Sequence, residues 1–313
     1  MPKCPICETK VSKHIETYKS DFNNQEYKLY HCPNCDLQWW EPLQMIPEFY
    51  ENEVFDMYKN WHLGYRSYLS YYQEYFLKKT HLVKKGKLLD VGCADGIFLE
   101  YAKKYGFEVY GLDLDKKSVN IARKRIGTTK IFHSDLHNFI EYAKSINLKF
   151  DVITFFEVLE HQDEPLKFMT DIKEILSPQG FIAGSVPYRD SPFIKRVEQK
   201  TYVDNPPHHF LRFSKKAIKF LLEKFEFDIL EISIPTPSLE EISWLVQEAF
   251  LREISSFFKK HILKDTNLSK DTIQNSYLRV NYLKTLRTII LGPLGFLFFW
   301  RKWPHIFFLA KLK

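Results

Sequence analysis

Short apolar runs alternate with segments of helical spacing through the middle of the chain. Strands that are buried on both faces and joined by amphipathic helices are typical of a parallel sheet. We therefore predict an α/β fold with a mostly parallel sheet that is covered by helices. The predicted strands of this part are residues 88–91, 107–112, 130–133, 150–156 and 181–186.

The pattern continues with two further strands, at residues 226–234 and 305–311. The segment between them is helical in pattern and basic. Residues 251–313 hold twelve Lys or Arg and three acidic residues, a charge of +9 in a chain whose net charge is +6. The predicted division is a cysteine-bearing module at 1–38, an aromatic helical lid at 39–85, the core at 86–235, an insertion at 236–304 and the final core strand at 305–313.

Composition places the chain among soluble globular proteins, because 45% of its 313 residues are hydrophobic and 27% are charged. No apolar leader follows Met1, so we expect a reducing cytoplasm. The uncharged stretch at 288–300 is too short and too rich in Gly and Pro to span a bilayer. The basic 251–304 segment could still rest on the inner, anionic face of the membrane.

Four cysteines occur in two C-P-x-C pairs that are 24 residues apart. Two such pairs supply four thiolates, which can surround one structural Zn²⁺ ion in a ribbon. A disulfide pair is the alternative, and the absence of an export signal counts against it. A redox C-x-x-C is a further alternative, but Pro and Asn suit turns instead. The predicted zinc ligands are Cys4, Cys7, Cys32 and Cys35.

The first core strand runs into a turn of small residues, D-x-G-x-A-x-G, before a helix starts. A dinucleotide-binding turn has the spacing G-x-G-x-x-G, whereas the small residues here recur at every second position. The turn resembles motif I of the class I S-adenosylmethionine-dependent methyltransferases. This resemblance implies the cofactor and a Rossmann-like, mostly parallel sheet whose last strand, at 305–311, is antiparallel. The alternative is a strand-to-helix turn that binds no ligand. The motif residues are Asp90, Gly92, Ala94 and Gly96, and Cys93 lies inside the turn as a packing residue or a cofactor neighbour.

Further motifs of the same family follow in order, and the resemblance spans residues 87–234. Asp113 ends the second core strand, where an acidic side chain can accept both ribose hydroxyls, with Leu114 beside it. Asp113 could instead cap the next helix, unless Asp115 or Ser118 takes that role. The resemblance places Asp135 and Leu136 near the adenine.

The segment F-F-E-V-L-E-H, which ends the fourth core strand, resembles motif IV of small-molecule methyltransferases. Glu157 could contact the methionine part of the cofactor, while Glu160 is expected in solvent. The sulfonium methyl is already activated, so the enzyme mainly has to align the acceptor and remove its proton. A neutral imidazole suits this task. The candidate bases, each of which could instead be a loop hydrogen bonder, are His161, His208 and His209.

Aromatic residues are dense in the predicted lid. Several fall at three- and four-residue steps and so share one helix face, which we expect to pack on the core. Tyr58 and Tyr65 are candidates for closing over the site.

The segment P-P-H-H-F-x-R-F-S, together with the cysteine module, resembles bacterial methyltransferases of sugar and surface-polysaccharide pathways. This resemblance implies a small or lipid-linked acceptor. The 236–304 insertion could serve as a membrane contact, a substrate cap or a homodimer surface. The competing predictions are an RNA methyltransferase that uses the basic segment on phosphates, and a cofactor-binding scaffold without turnover. A ribbon that is not basic counts against nucleic acid as the partner.

Overall fold

Two β-sheets organise the chain. The computed structural model describes residues 1–46, 68–192, 204–246 and 303–313, together with residues 194 and 293. The smaller sheet consists of β1 (His14–Lys19), β2 (Glu26–His31), β3 (Gln38–Glu41) and β9 (Leu211–Arg212). It is antiparallel, with the strands in the order β1-β2-β3-β9. One of its strands therefore comes from a loop of the core.

The larger sheet has seven strands. They are β4 (Lys87–Val91), β5 (Glu108–Asp113), β6 (Ile131–His133), β7 (Phe150–Phe156), β8 (Leu176–Pro187), β10 (Phe227–Ser233) and β11 (His305–Leu312). Their order is β10-β11-β8-β7-β4-β5-β6. The five strands from β8 to β6 are parallel, whereas β11 is antiparallel to both β8 and β10. The predicted sheet is confirmed.

Seven α-helices lie in the described part of the chain. They are α1 (Tyr71–Lys78), α2 (Ile97–Lys104), α3 (Lys116–Ile126), α4 (Leu136–Ser145), α5 (Pro165–Ile175), α6 (Lys215–Lys224) and α7 (Leu239–Val246). Sequence signals explain several of their starts. Ser214 caps α6 by accepting from the Ala217 N–H at 3.1 Å, and Pro165 begins α5, where no N–H is needed.

Side chains that alternate along the strands separate two apolar clusters, one on each face of the large sheet. In β4, Leu88 belongs to one cluster and Leu89 to the other; Val152 and Ile153 of β7 divide in the same way. Each side chain of this size that becomes fully buried stabilises the fold by about 1.5–3 kcal/mol. These clusters hold the strands at the register that brings their carboxyl ends to one edge.

The cysteine-bearing module is joined to the core by hydrogen bonds as well as by packing. Trp39 of β3 pairs with Leu211 of β9, and the Trp40 N–H donates to the Phe210 carbonyl at 3.0 Å. The Arg189 guanidinium donates to the Asp36 carboxylate at 2.7 Å. The module is thus attached to the loop that precedes α6, which carries two of the predicted catalytic histidines.

Several predictions fall on other parts of the chain. Tyr58 and Tyr65, and most of the 236–304 insertion, lie outside the described residues. Among the residues that the structure does describe, we find no helix with the length and apolar character that crossing a bilayer requires.

Candidate active site

The turn between β4 and α2 folds back on β5 through its backbone. The N–H groups of Gly92 and Cys93 both donate to the Leu112 carbonyl, at 2.8 and 2.9 Å. Gly92 and Gly96 have φ values of +75° and +77°, and a Cβ on Gly92 would lie 2.6 Å from Val158 Cγ2. Both glycines are therefore required by the backbone, and the turn touches the segment that follows β7.

Ala94 adopts the left-handed region as well, with φ of +47°. For a residue with a Cβ, this conformation costs roughly 1–2 kcal/mol. The Ala94 N–H donates to Asp113 Oδ2 at 2.8 Å, which offsets part of this cost. The turn therefore contains a strained residue whose backbone N–H is held by the Asp113 carboxylate.

Asp113, at the end of β5, is fixed by two backbone donors. Besides the Ala94 N–H, it accepts from the Asp115 N–H at 2.8 Å through Oδ1. Burial raises the pKa of Asp113 to about 6, and the two backbone hydrogen bonds oppose that rise. Asp115 itself caps α3 by accepting from Lys117 and Ser118. The capping role thus belongs to Asp115, and Asp113 faces the turn.

Two other residues of the turn are tied into the sheet. Asp90 is buried and accepts from the Thr154 hydroxyl at 2.7 Å. Cys93 is buried too, and a Cβ on Gly111 would lie 2.8 Å from its sulfur. Burial raises the pKa of the Cys93 thiol well above its ordinary value, so the thiol stays protonated. This side chain fills space against β5.

Asp135 caps α4, where its carboxylate accepts from the backbone N–H and the side-chain amide of Asn138, both at 2.7 Å. The adjacent Leu136 is buried, whereas Leu114 is 37% exposed. These residues lie beyond the ends of β5 and β6, on the same edge as Asp113. The edge of the sheet is therefore lined by the Asp135 carboxylate and by the apolar side chains of Leu136 and Leu114. A flat ring could bind between them.

Glu157 directly follows β7 and has φ of +56°. Its carboxylate accepts from the Ser185 hydroxyl at 2.6 Å and lies 3.0 Å from Nε2 of His305. The other ring nitrogen of His305 lies 2.7 Å from the Tyr71 hydroxyl. Sequence reasoning missed His305, because it begins the last strand, some 150 positions from the motif. The only feature of the sequence that could have identified His305 as a site residue is its position at the start of a strand.

Three histidines meet beyond the ends of β7 and β8. His161 ends a 3-10 turn (Leu159–His161), while His208 and His209 come from the loop before β9. One ligand atom from each lies within 4.8 Å of the others, and the rings of His208 and His209 stack at 4.1 Å. The three predicted candidate bases thus form one group, which we call the histidine cluster.

Two buried carboxyl groups accompany the histidine cluster. Asp204 Oδ1 lies 2.8 Å from His209 Nδ1, and burial raises the pKa of Asp204 to about 7. Glu160 is wholly buried, so the prediction that it lies in solvent is wrong. The 3-10 turn points Glu160 inward, and the Glu160 carbonyl accepts from the Phe210 N–H, so a distant loop packs over this turn. Burial, then the charge of Glu157, raises the pKa of Glu160 well above its ordinary value.

Burial also affects the imidazoles. It lowers the pKa of His161, and that of His209 well below its ordinary value. Their rings are therefore neutral near pH 7, with a nitrogen lone pair available to a proton or a metal ion.

The four cysteine thiols of the module also converge, and we call them the thiol cluster. Sγ of Cys4 lies 3.4 Å from Sγ of Cys35, and Cys7 lies 3.3 Å from Cys32. All four sulfurs lie within 4.8 Å of one another. These separations exceed a disulfide bond and suit four thiolates around one tetrahedral ion. The donor set fits Zn²⁺.

A family model described as a methyltransferase domain matches residues 61–232, more than half of the chain. The protein belongs to the S-adenosylmethionine-dependent methyltransferases.

Curated relatives of this methyltransferase include ubiquinone biosynthesis O-methyltransferases. The Actinobacillus pleuropneumoniae protein is 32% identical over 114 residues, which is 35% of this chain and 49% of that protein. The mitochondrial protein of Schizosaccharomyces pombe is 30% identical over 122 residues, 38% of this chain and 44% of the relative. The matches thus span about half the length of these relatives.

Solved structures share the methyltransferase fold. Magnesium protoporphyrin IX methyltransferase from Synechocystis, solved with S-adenosylhomocysteine, has a TM-score of 0.50 and 11% identity, covering 85% of this chain and 98% of its own. A methyltransferase from Archaeoglobus fulgidus has a TM-score of 0.45 and 20% identity, covering 76% and 94%.

Proposed function

We propose that this methyltransferase transfers the methyl group of S-adenosylmethionine to a small or lipid-linked acceptor, and that a sugar or surface-polysaccharide precursor is the acceptor class. One observation carries the proposal. The glycine turn touches Val158, and the histidine cluster begins three residues later. A cofactor cradled by the turn would therefore direct its methyl group toward the edge of the sheet where the imidazoles lie.

The cofactor-binding roles that we propose follow the sheet edge. Asp113 keeps lone pairs for the ribose hydroxyls beyond its two backbone donors. Asp135 and Leu136 would flank the adenine, and Glu157 would face the methionine part. Around them, Asp90, Gly92, Ala94 and Gly96 shape the turn, and Cys93 packs behind it.

The chemistry that the cofactor supplies is an electrophilic methyl carbon on sulfur. When bound, the cofactor would supply this methyl carbon to the acceptor and keep the electron pair of the broken carbon–sulfur bond, and an imidazole would take the acceptor's proton. His161 Nδ1 lies 2.5 Å from the His208 carbonyl, which can only accept. In the neutral ring Nδ1 therefore carries the proton, and Nε2 is the basic nitrogen.

Oxygen is the acceptor atom that the relatives favour. The proteins that match residues of this core are named O-methyltransferases, although they cover about a third of this chain. A hydroxyl also needs a base more than a neutral amine does, which agrees with the neutral buried imidazoles.

We also propose that the thiol cluster holds a structural Zn²⁺ through Cys4, Cys7, Cys32 and Cys35, since a closed set of four thiolates leaves no open position for chemistry. The remaining proposals concern residues 251–304, as a peripheral membrane contact or a homodimer surface. Liposome flotation that is lost when Arg287, Arg301 and Lys302 are neutralised would support the membrane contact.

The decisive experiment is calorimetric titration of the zinc-loaded protein with S-adenosylhomocysteine, with NADH as the control. We expect micromolar binding that weakens in Asp113→Ala, and no NADH binding. Methyl transfer is then screened on nucleotide sugars, polyprenylated phenols and RNA. Transfer to a sugar supports the proposal, transfer to RNA replaces the acceptor class, and absence of S-adenosylhomocysteine binding in a folded sample overturns it.

A further inference from the structure

We propose that Glu160, His161, His208 and His209 form a binding site for a divalent transition metal ion, distinct from the thiol cluster. The inference deepens the proposed function, because the site lies where the acceptor's proton would be removed. It rests on the geometry of Glu160 and its neighbours.

The Glu160 carboxyl group is the first feature that points to a bound cation. It is wholly buried, and neither of its oxygens has a hydrogen-bond partner among the residues that the structure describes. Oε1 lies 3.9 Å from Nε2 of His161 and 3.9 Å from Nε2 of His209. Burying a carboxylate without partners costs several kcal/mol, so the group either holds a proton or binds a cation at this position.

The tautomers of the His161 and His209 imidazoles also point to a bound cation. Nδ1 of His209 lies 2.8 Å from the Asp204 carboxylate, and Nδ1 of His161 faces a carbonyl oxygen. The carbonyl can only accept, so Nδ1 of His161 carries the proton and its Nε2 lone pair lies on the Glu160 side, and an ionised Asp204 sets the same tautomer in His209. Lone pairs of two nitrogens and an oxygen then surround one point, which is favourable with a proton or a metal ion between them. A carboxylate or carbonyl behind the ligand is also how proteins orient metal-binding histidines.

The number and spacing of the ligand atoms fit one metal ion. With His208, whose ring stacks on His209, the cluster offers three nitrogens within 4.8 Å of one another. Ligand atoms that each lie about 2 Å from one ion are about 3–4 Å apart, so a contraction of about 1 Å completes the site. Three imidazoles and one carboxylate favour Zn²⁺ or Fe²⁺ over Mg²⁺.

The metal would change how the acceptor loses its proton. A hydroxyl bound to the ion becomes more acidic and releases its proton to water near pH 7, while the imidazoles remain ligands. A buried proton shared by Glu160 and the imidazoles is the alternative that explains the same geometry. The two accounts differ in whether the protein binds a second ion.

The test is metal content after the metal-free full-length protein is dialysed against Co²⁺. We expect two ions per chain, one with thiolate charge-transfer bands and one without them. Glu160→Gln keeps the shape of the side chain but removes its charge, and it should weaken the second ion at least about tenfold. His209→Ala should leave one ion, and exposed His137→Ala, the control, should leave two.

S-adenosylhomocysteine titration of each variant reports whether its core remains folded. One ion in the wild type, or two in folded His209→Ala with unchanged affinity, would overturn the metal site. If the protein binds a second ion but transfers no methyl group to any acceptor, the proposed metal site stands and the proposed function is wrong. If the protein turns over substrate with only one bound ion, the proposed function stands, the proposed metal site is wrong, and an imidazole is the base.

Discussion

The thiol cluster and the histidine cluster both gather ligand atoms within 4.8 Å, yet they are assembled in different ways. Each half of the thiol cluster is a local turn, so that Cys4 and Cys7, or Cys32 and Cys35, are neighbours before the chain folds. The histidine cluster needs a turn after β7 to meet a loop that is 47 residues away.

The two clusters also differ in charge and surroundings. The thiol cluster is a closed set of four thiols in two turns beside the small sheet. The histidine cluster lies beside two buried carboxyl groups, Glu160 and Asp204, at the open edge of a large sheet. A closed set of ligands suits a structural role, whereas mixed ligands beside a binding edge suit chemistry.

The largest expected effect comes from breaking the thiol cluster. Cys35→Ala should remove one bound ion and the structure of the module, because metal binding and folding are coupled in such sites, with about 10–16 kcal/mol of binding free energy in zinc-finger peptides. Metal analysis and limited proteolysis would measure both losses. The control is Cys93→Ala, which should keep the ion; a Cys35→Ala variant that also kept it would contradict the assignment.

The next effect separates chemistry from cofactor binding. His161→Ala should lower kcat by about 10²–10⁴, while the affinity for S-adenosylhomocysteine changes little, whether His161 is a base or a ligand. Single-turnover kinetics beside calorimetry would measure the two quantities. Exposed His81→Ala is the matched control and should behave as wild type. Equal losses of affinity and turnover would show that the histidine cluster only supports the fold.

These clusters also mark how far the sequence could predict the protein. The strands, the cysteine pairs and the D-x-G-x-A-x-G turn follow from spacing, because their patterns are local, whereas the antiparallel last strand follows from the family resemblance. The burial of Glu160 and the contact of Glu157 with His305 depend on how distant segments pack. The 3-10 turn that carries Glu160 has no sequence signal, so a charged residue there was expected in solvent.

A smaller effect concerns Asp113, which belongs to neither cluster. Burial raises its pKa to about 6, and in the proposed site the carboxylate form is the one that would accept the ribose hydroxyls. Affinity for S-adenosylhomocysteine should therefore fall as the pH drops below about 6, approaching tenfold per pH unit. Calorimetry from pH 5 to 8 would measure this slope. Asp113→Asn should bind roughly 30-fold more weakly near pH 8, with no such slope; a slope that persisted would assign the titration to another group.

The same pKa has an opposite consequence for stability. The folded protein without cofactor holds the Asp113 proton more tightly than the unfolded chain, whose value is near 3.8. The contribution of Asp113 to the free energy of unfolding should therefore decrease as the pH rises from about 4 to about 6. Bound cofactor should offset that decrease at higher pH.

The smallest effect concerns the link between the two clusters. Asp36 follows Cys35 and joins Arg189, near the loop that carries His208 and His209. Burial opposes ionisation of Asp36, but hydrogen bonds from Ser214, Arg189 and His31 outweigh it and lower the pKa to about 2. The stability from this group is thus present above about pH 4 and is lost as the pH falls toward 2.

Asp36→Asn keeps a side chain that tolerates the left-handed backbone at this position, where φ is +66°. The variant should lose about 1–2 kcal/mol of unfolding free energy at pH 7, since the pair is partly exposed. It should keep the thiol-bound ion while loosening the histidine cluster, which hydrogen exchange of the 204–210 loop would detect. Asp228→Asn, whose partner Lys313 is exposed, is the control and should change stability by less than about 0.5 kcal/mol. Equal effects of the two variants would mean that the clusters are positioned independently, by apolar packing alone.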